Sequence, residues 1–226
     1  MLCFVDEKSE VIGHFGPFSW LQDPERELDP KISLITGLGA QHLKGQEIND
    51  GFAAALLDRA DLIVAQNAVF DAGFIERRYP DLKGRAWACS CAEIDWLKLG
   101  FGGRSQSALL AHTGWFSDAH RAAADVWALF WLLQHRQRDP GGREIRTHLR
   151  RLIEAADRTT IMVQAEHAPF SKKELLRARG YKWNPAGPFW QIELQREMVE
   201  HEQAWGYRNG LPAMTTHLIT AHERHR

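Results

Sequence analysis

A short apolar run, Leu62-Ile63-Val64-Ala65, passes without a spacer into Gln66-Asn67-Ala68-Val69-Phe70-Asp71. Such a run reads as a buried strand, and Asp71 to Tyr79 reads as a helix with Phe74 and Ile75 on its apolar side. A second junction, His120-Arg121-Ala122-Ala123-Ala124-Asp125, opens the helical stretch Ala122 to His135. Together these segments put two carboxylates and one imidazole at the ends of neighbouring elements.

The remainder of the chain alternates between strand and helix signals, which points to an α/β protein. Leu2 to Val5 and Val11 to Trp20 read as a hairpin around the polar turn Asp6 to Glu10. Ile48 to Arg59 carries Phe52, Leu56 and Leu57 at helical spacing, and Trp87 to Cys91 reads as a further strand. Ser107 to Gly114 is a short helix that Gly114 can end. Ser117 or Asp118 is placed to cap the next helix, with Val126, Leu129, Phe130 and Leu133 as its apolar stripe. Asp139-Pro140-Gly141-Gly142 is the clearest break, followed by a charged helix from Glu144 to Ala156. Beyond it come a strand (Ile161 to Ala165), the capping box Ser171-Lys172-Lys173-Glu174, a helix ended by Gly180, a strand (Phe189 to Leu194) and a helix from Arg196 to Tyr207. The expected domains are residues 1–138, a linker and connecting helix at 139–158, a small basic and aromatic α+β module at 159–207, and a polar tail at 208–226.

At 226 residues the chain has room for one good core and a small second module. Its net charge of −1 supplies no global field for nucleic acid, so any such binding must come from local patches. No apolar run approaches a membrane span, so no membrane partner is expected. The start has no basic region or cleavage-type segment, so no signal peptide is expected there. Cys3, Cys89 and Cys91 suit neither a disulfide framework nor a zinc site, and read as small hydrophobes in a reducing, cytoplasmic setting. Of the nine tryptophans, most are expected in the core and a few are left for stacking.

Oxygen ligands such as Asp71 and Asp125 favour hard cations, Mg²⁺ or Mn²⁺. Two such ions can activate a water and stabilise the leaving oxygen of a phosphodiester. Five residues separate His120 from Asp125, so their directions in a regular helix differ by about 140°. His120 is therefore best placed at the helix entrance, where the helix N-terminus disfavours the imidazolium and keeps a neutral base. Each residue alone has an ordinary structural reading: a capping Asp, a surface His, and Phe70 and Phe74 as core. Their joint occurrence in this order carries the functional one.

In that order the chain resembles the DEDDh 3′–5′ exonucleases, the group that includes the proofreading epsilon subunit of bacterial DNA polymerase III. Asn67 to Asp71 looks like the family's second motif, His120 to Asp125 like its third, and Leu34-Ile35-Thr36-Gly37-Leu38 like its Thr-Gly segment. The resemblance spans about residues 1 to 135. It implies a ribonuclease H-like fold, a mixed sheet flanked by helices. It further implies Asp71 and Asp125 as metal ligands, His120 as the general base, and Thr36 and Asn67 as substrate contacts. The implied partners are single-stranded DNA or RNA ends and a DNA polymerase or repair complex.

Gln66 stands where many relatives carry His. The family's first motif, Asp-x-Glu at the end of a central strand, has no counterpart here: in Val5-Asp6-Glu7-Lys8, Lys8 takes the place of the Glu. Leu2 to Val5 then aligns with the second strand of that fold and His14 to Trp20 with the third, leaving the first central strand missing. Each backbone group so orphaned costs about 1–3 kcal/mol. The expectation is that Met1 is an internal start or that the gene is truncated, and that the chain as it stands is of doubtful activity.

In the small module, Lys172, Lys173, Arg177, Arg179 and Lys182 lie among Tyr181, Trp183 and Trp190. Cations hold phosphates and aromatics stack on unpaired bases, which nominates Lys182 and Trp183 as substrate contacts. A solvated basic helix beside a small aromatic core accounts for the same residues. The stretch Phe170 to Trp190 also resembles a small accessory domain appended to exonucleases and other DNA-metabolism proteins, and implies no catalytic residue. The alternative to an exonuclease is a non-catalytic relic that binds nucleic acid through this module.

Overall fold

A computed structural model describes residues 1–117 and 121–225. The protein is mixed α/β and divides into two compact units: Met1–Ala156 with His225, and Asp157–Arg224. Among the described residues no helix is long and apolar enough to cross a membrane.

The larger unit opens with the antiparallel hairpin β1 (Leu2–Val5) and β2 (Val11–Phe15), in which Leu2 faces Phe15 and Val5 faces Val11. Its turn is held by Asp6, whose carboxylate accepts the amides of Lys8 and Glu10, each at 2.9 Å. β2 stops at Phe15, short of Trp20, where Gly16 takes a φ of +90° and Pro17 has no amide to donate. Three helices follow: α1 (Pro30–Thr36), α2 (Ala40–Leu43) and α3 (Asp50–Asp58). Asn49 caps α3 by accepting the Phe52 amide at 3.0 Å. Phe52 in turn gathers Phe18 and Trp20 at ring separations of 5.0 and 5.9 Å.

The centre of this unit is the parallel pair β3 (Ile63–Ala65) and β4 (Trp87–Cys89), joined by α4 (Ala68–Arg78). Ile63, Ala65, Ala68, Ala72, Trp87 and Cys89 form its core cluster. α4 turns the small side chains Ala68 and Ala72, four residues apart, onto the strands, so Val69, Phe70 and Phe74 face outward. The expected core placement of Phe70 and Phe74 is thereby corrected. β4 ends at Cys89, and α5 (Ser90–Glu93) takes up the rest of the run that reads as strand. α6 (Gln106–His112) is capped by Ser105 and packs on α7 (Ala122–Gln134) through Leu109, Leu110, Leu132 and Leu133. Arg121 is the residue at the N-cap of α7, so Ser117 does not cap it; Asp118 lies outside the described residues. Ala128 and Leu132 are buried on α7, while Val126 is exposed.

Asp139-Pro140-Gly141-Gly142 is the turn of a hairpin, not a linker. β5 (Arg136–Arg138) pairs with β6 (Ile145–Thr147), and α8 (His148–Ala156) follows. Asp139 binds Arg151 at 2.7 Å and also pairs with Arg146, which ties the turn to the helix. The expected sheet is therefore divided: among the described residues of this unit the strands form three separate two-stranded sheets.

The smaller unit is built on one antiparallel sheet in the order β10 (Thr215–Ile219), β7 (Thr160–Ala165), β9 (Phe189–Leu194), β8 (Lys182–Asn184). α9 (Lys173–Arg179) and α10 (Val199–Arg208) accompany it. Leu176, Tyr181, Trp190, Leu211 and Ala165 form its core. Gly180 ends α9 in the left-handed region, with φ +101°. The capping box at Ser171 does not form, because the chain enters α9 through a 3₁₀ turn over Phe170–Lys172. β10 lies in the segment that reads as a polar tail and fills one edge of the sheet, pairing residue by residue with β7.

Candidate functional site

Asp71 is the fourth residue of α4, reached directly from β3 through Gln66 and Asn67. Asp125 is likewise the fourth residue of α7. Both carboxylates therefore occupy a first helical turn, where the unpaired amides and the helix dipole favour negative charge. Asp71 is half-buried, and desolvation pushes its carboxyl above the usual aspartate range against the opposing pull of the Asn67 amide. Asn67 starts α4 without a side-chain capping bond.

Two glutamines join the helix starts. The Gln66 amide donates to the Arg104 carbonyl at 2.7 Å, and its Oε1 accepts the Ser90 hydroxyl. Two residues after Arg104, the Gln106 amide donates to the Asp125 carbonyl at 2.7 Å. The segment 104–106 is thus held at one end by the Gln66 side chain and holds the Asp125 turn at the other. The Gln66 carbonyl accepts the Cys91 amide at 3.3 Å and the Cys89 thiol at 3.5 Å, which fixes the junction between β3 and α4 to the end of β4. Sequence reasoning treats Gln66 as a minor departure and overlooks Gln106 and Ser90. Their partners are 19 to 38 residues away, and no local pattern marks them.

The Thr36-Gly37 turn closes α1. The Thr36 hydroxyl donates to the Ile32 carbonyl at 2.8 Å and accepts the Leu38 amide at 3.2 Å. A Cβ placed on Gly37 would stand 3.7 Å from a terminal nitrogen of Arg121. The structure thus brings the Thr-Gly turn and the start of α7 together. His120 lies outside the described residues.

Phe70 and Phe74 pack ring to ring at 4.8 Å on the exposed face of α4, and the Arg77 guanidinium lies 4.6 Å from the Phe74 ring. In the smaller unit, considered by itself, Lys182 and Trp183 are exposed on the edge strand β8, and Trp183 meets Trp190 edge-on at 5.5 Å. The Arg177 guanidinium lies 5.8 Å from the Trp190 ring. Arg179 is committed elsewhere: it binds the buried Glu202 at 2.8 Å and so belongs to the scaffold.

Among the described residues, no three His, Cys, Asp or Glu side chains converge as a metal site. The described donors by themselves do not fit a two-ion centre. Asp71 and Asp125 are two carboxylates, and carboxylates in ones or twos hold Mg²⁺ together with substrate phosphates and water. No family model, curated protein or solved structure matches the chain.

Proposed function

We propose that the larger unit is an exonuclease-type domain, related to the ribonuclease H-like DEDDh proteins, which receives the 3′ end of a single strand between the Asp71 and Asp125 turns. The observation that carries this reading is the pair of glutamine bonds: Gln66 and Gln106 tie two carboxylate-bearing helix starts to one three-residue segment. The Thr36-Gly37 turn beside Arg121 adds a cation for a terminal phosphate. Phe70, the residue before Asp71, and Phe74, three residues after it, offer flat, exposed rings on which a terminal base can stack. Mg²⁺ or Mn²⁺ would supply the Lewis acid, held by Asp71, Asp125 and the strand's own phosphate. In this reading His120 takes the proton of the attacking water.

A second reading has its own support. The described residues do not gather a full ligand set, and Lys182 with Trp183 forms an exposed cationic and aromatic edge. A protein built this way would bind single strands without cutting them. Incubating 5′-labelled and 3′-labelled single-stranded DNA and RNA with the full chain and Mn²⁺ separates the two. A ladder of shortened 5′-labelled products and early release of the 3′ label support the exonuclease. Bound but intact strands at stoichiometric protein overturn it in favour of the binding reading.

A further inference from the structure

Away from the carboxylates, a pocket of about 280 Å³ opens between the end of α6 and the last turns of α7. The buried Leu110 and Leu132 line it together with Thr113, Trp115, Trp131, Gln134 and His135. Trp115 and Trp131 are 10° from parallel, with ring centres 6.3 Å apart, and Trp127 continues the series at 6.4 Å and 16°. Trp115 and Trp131 are 58% and 52% exposed, an uncommon condition for indoles that could stand in a core.

The pocket is a built feature. Gly114 adopts a left-handed φ of +80° and the Trp115 amide donates to the Leu110 carbonyl at 2.9 Å, so the chain pins Trp115 against the end of α6. The polar rim is specific in kind. No hydrogen bond engages the Gln134 amide among the described residues, and it can both donate and accept. The Thr113 hydroxyl donates to the Leu110 carbonyl at 2.8 Å and keeps its lone pairs for a ligand.

We infer that this pocket binds an unpaired nucleobase of a single-stranded nucleic acid. A flat heteroaromatic ring prolongs the indole series face to face, and its edge of N–H and C=O groups meets Gln134 and Thr113. A base combines a fully flat ring with an in-plane edge of N–H and C=O groups, which suits the near-parallel indoles and the Gln134 amide together, whereas an apolar protein ridge would leave the amide unpaired. Trp131 lies six residues beyond Asp125, about 9 Å along the α7 axis and about 120° around it. The pocket is therefore a separate subsite for the body of a strand, and it stands whether or not the carboxylates cut.

The test is fluorescence anisotropy with a labelled thymidylate decamer, an abasic decamer and adenosine monophosphate. It uses the full chain carrying Lys182→Ala and Trp183→Ala, with EDTA present, so that neither the smaller unit's edge nor hydrolysis contributes. The base-bearing decamer is expected to bind more tightly than the abasic one. Trp115→Ala and Trp131→Ala are each expected to weaken it by about 5- to 100-fold. Trp131→Phe keeps a flat ring and should retain most of the affinity, which guards against a folding artefact. Equal affinity for the abasic decamer, or no change in either alanine variant, overturns the inference. So does a monophosphate that competes as well as the strand, since the site would then serve free nucleotides. The binding is read in EDTA, where no strand is cut, and against the abasic decamer, so failure here is distinguishable from failure of the nuclease reading.

Discussion

The two units bury ionisable rings with opposite consequences. In the larger unit His148 is fully buried among Trp96, Phe101 and His135, and it lies 3.3 Å from the Arg151 guanidinium. Desolvation, helped by Arg151 and His135, pushes its pKa down to about 3. In the smaller unit Tyr181 is buried beside Trp205, with its hydroxyl 3.3 Å from the Met214 sulfur. Desolvation and the Glu202 carboxylate hold its hydroxyl above the ordinary phenol range, against the pull of Arg179. Both rings are kept neutral, but one is threatened by protons and the other by their loss. The units are thus expected to fail at opposite ends of the pH scale.

The largest expected effect follows from His148. A group whose folded pKa lies below its unfolded value contributes stability that is present above the unfolded pKa and lost as pH falls through the folded one. The larger unit should lose on the order of 3–5 kcal/mol between about pH 6.5 and 3. Denaturant melts followed by amide exchange in α8 would show this, and His148→Leu should flatten the slope. An acid transition confined to the smaller unit would break the comparison.

Tyr181 runs the other way. Its raised pKa makes its contribution fully present below the ordinary phenol value and lost as pH rises through the folded one. Tyr181→Phe should cost less than about 1 kcal/mol at neutral pH, because the bond to the Met214 sulfur is weak, and should remove the alkaline loss in melts of the smaller unit. Retention of that loss in the variant would assign it to another group.

Asp71 sharpens the contrast between scaffold and site. Its carboxyl is raised, so ionisation costs stability as pH rises above the ordinary aspartate value, and the cost is absent in acid. Asp71→Asn should stabilise the larger unit by less than about 1 kcal/mol at neutral pH, with no gain near pH 3. A destabilised variant at neutral pH would mean that the carboxylate serves the scaffold. The smallest effect is at Ile12, which is 70% exposed on β2. Ile12→Thr should fall within about 0.5 kcal/mol in either direction, as read by thermal melting.

Much of this architecture is legible in the sequence where one local signal suffices. Phe189 to Leu194 alternates and forms β9 at those bounds, and Gly180 ends its helix. The run Leu62 to Ala65 yields β3. β10 is missed because Thr215, Thr216 and His217 show no apolar face, and only pairing with β7 makes the segment a strand. The tryptophans divide evenly: Trp87, Trp96 and Trp190 are buried, Trp115, Trp131 and Trp183 are exposed, and Trp20, Trp127 and Trp205 lie between. Composition alone assigns most to the core, since it cannot see which helix face Ala128 and Leu132 claim. In the candidate site, the first-turn places of Asp71 and Asp125 are legible from the helix starts that precede them. Gln66 and Gln106 are not, because their bonds depend on chain segments brought together only by the fold.

The proposed activity depends on the two first-turn aspartates acting on one strand end. Single-turnover degradation of a 5′-labelled single-stranded decamer with Mn²⁺ tests this most directly, comparing the unmodified chain with Asp71→Asn and Asp125→Asn. The prediction is stepwise shortening from the 3′ end, slowed at least about 100-fold in either variant, with both variants folded. An intact decamer with the unmodified chain, or shortening that survives both substitutions, would contradict it.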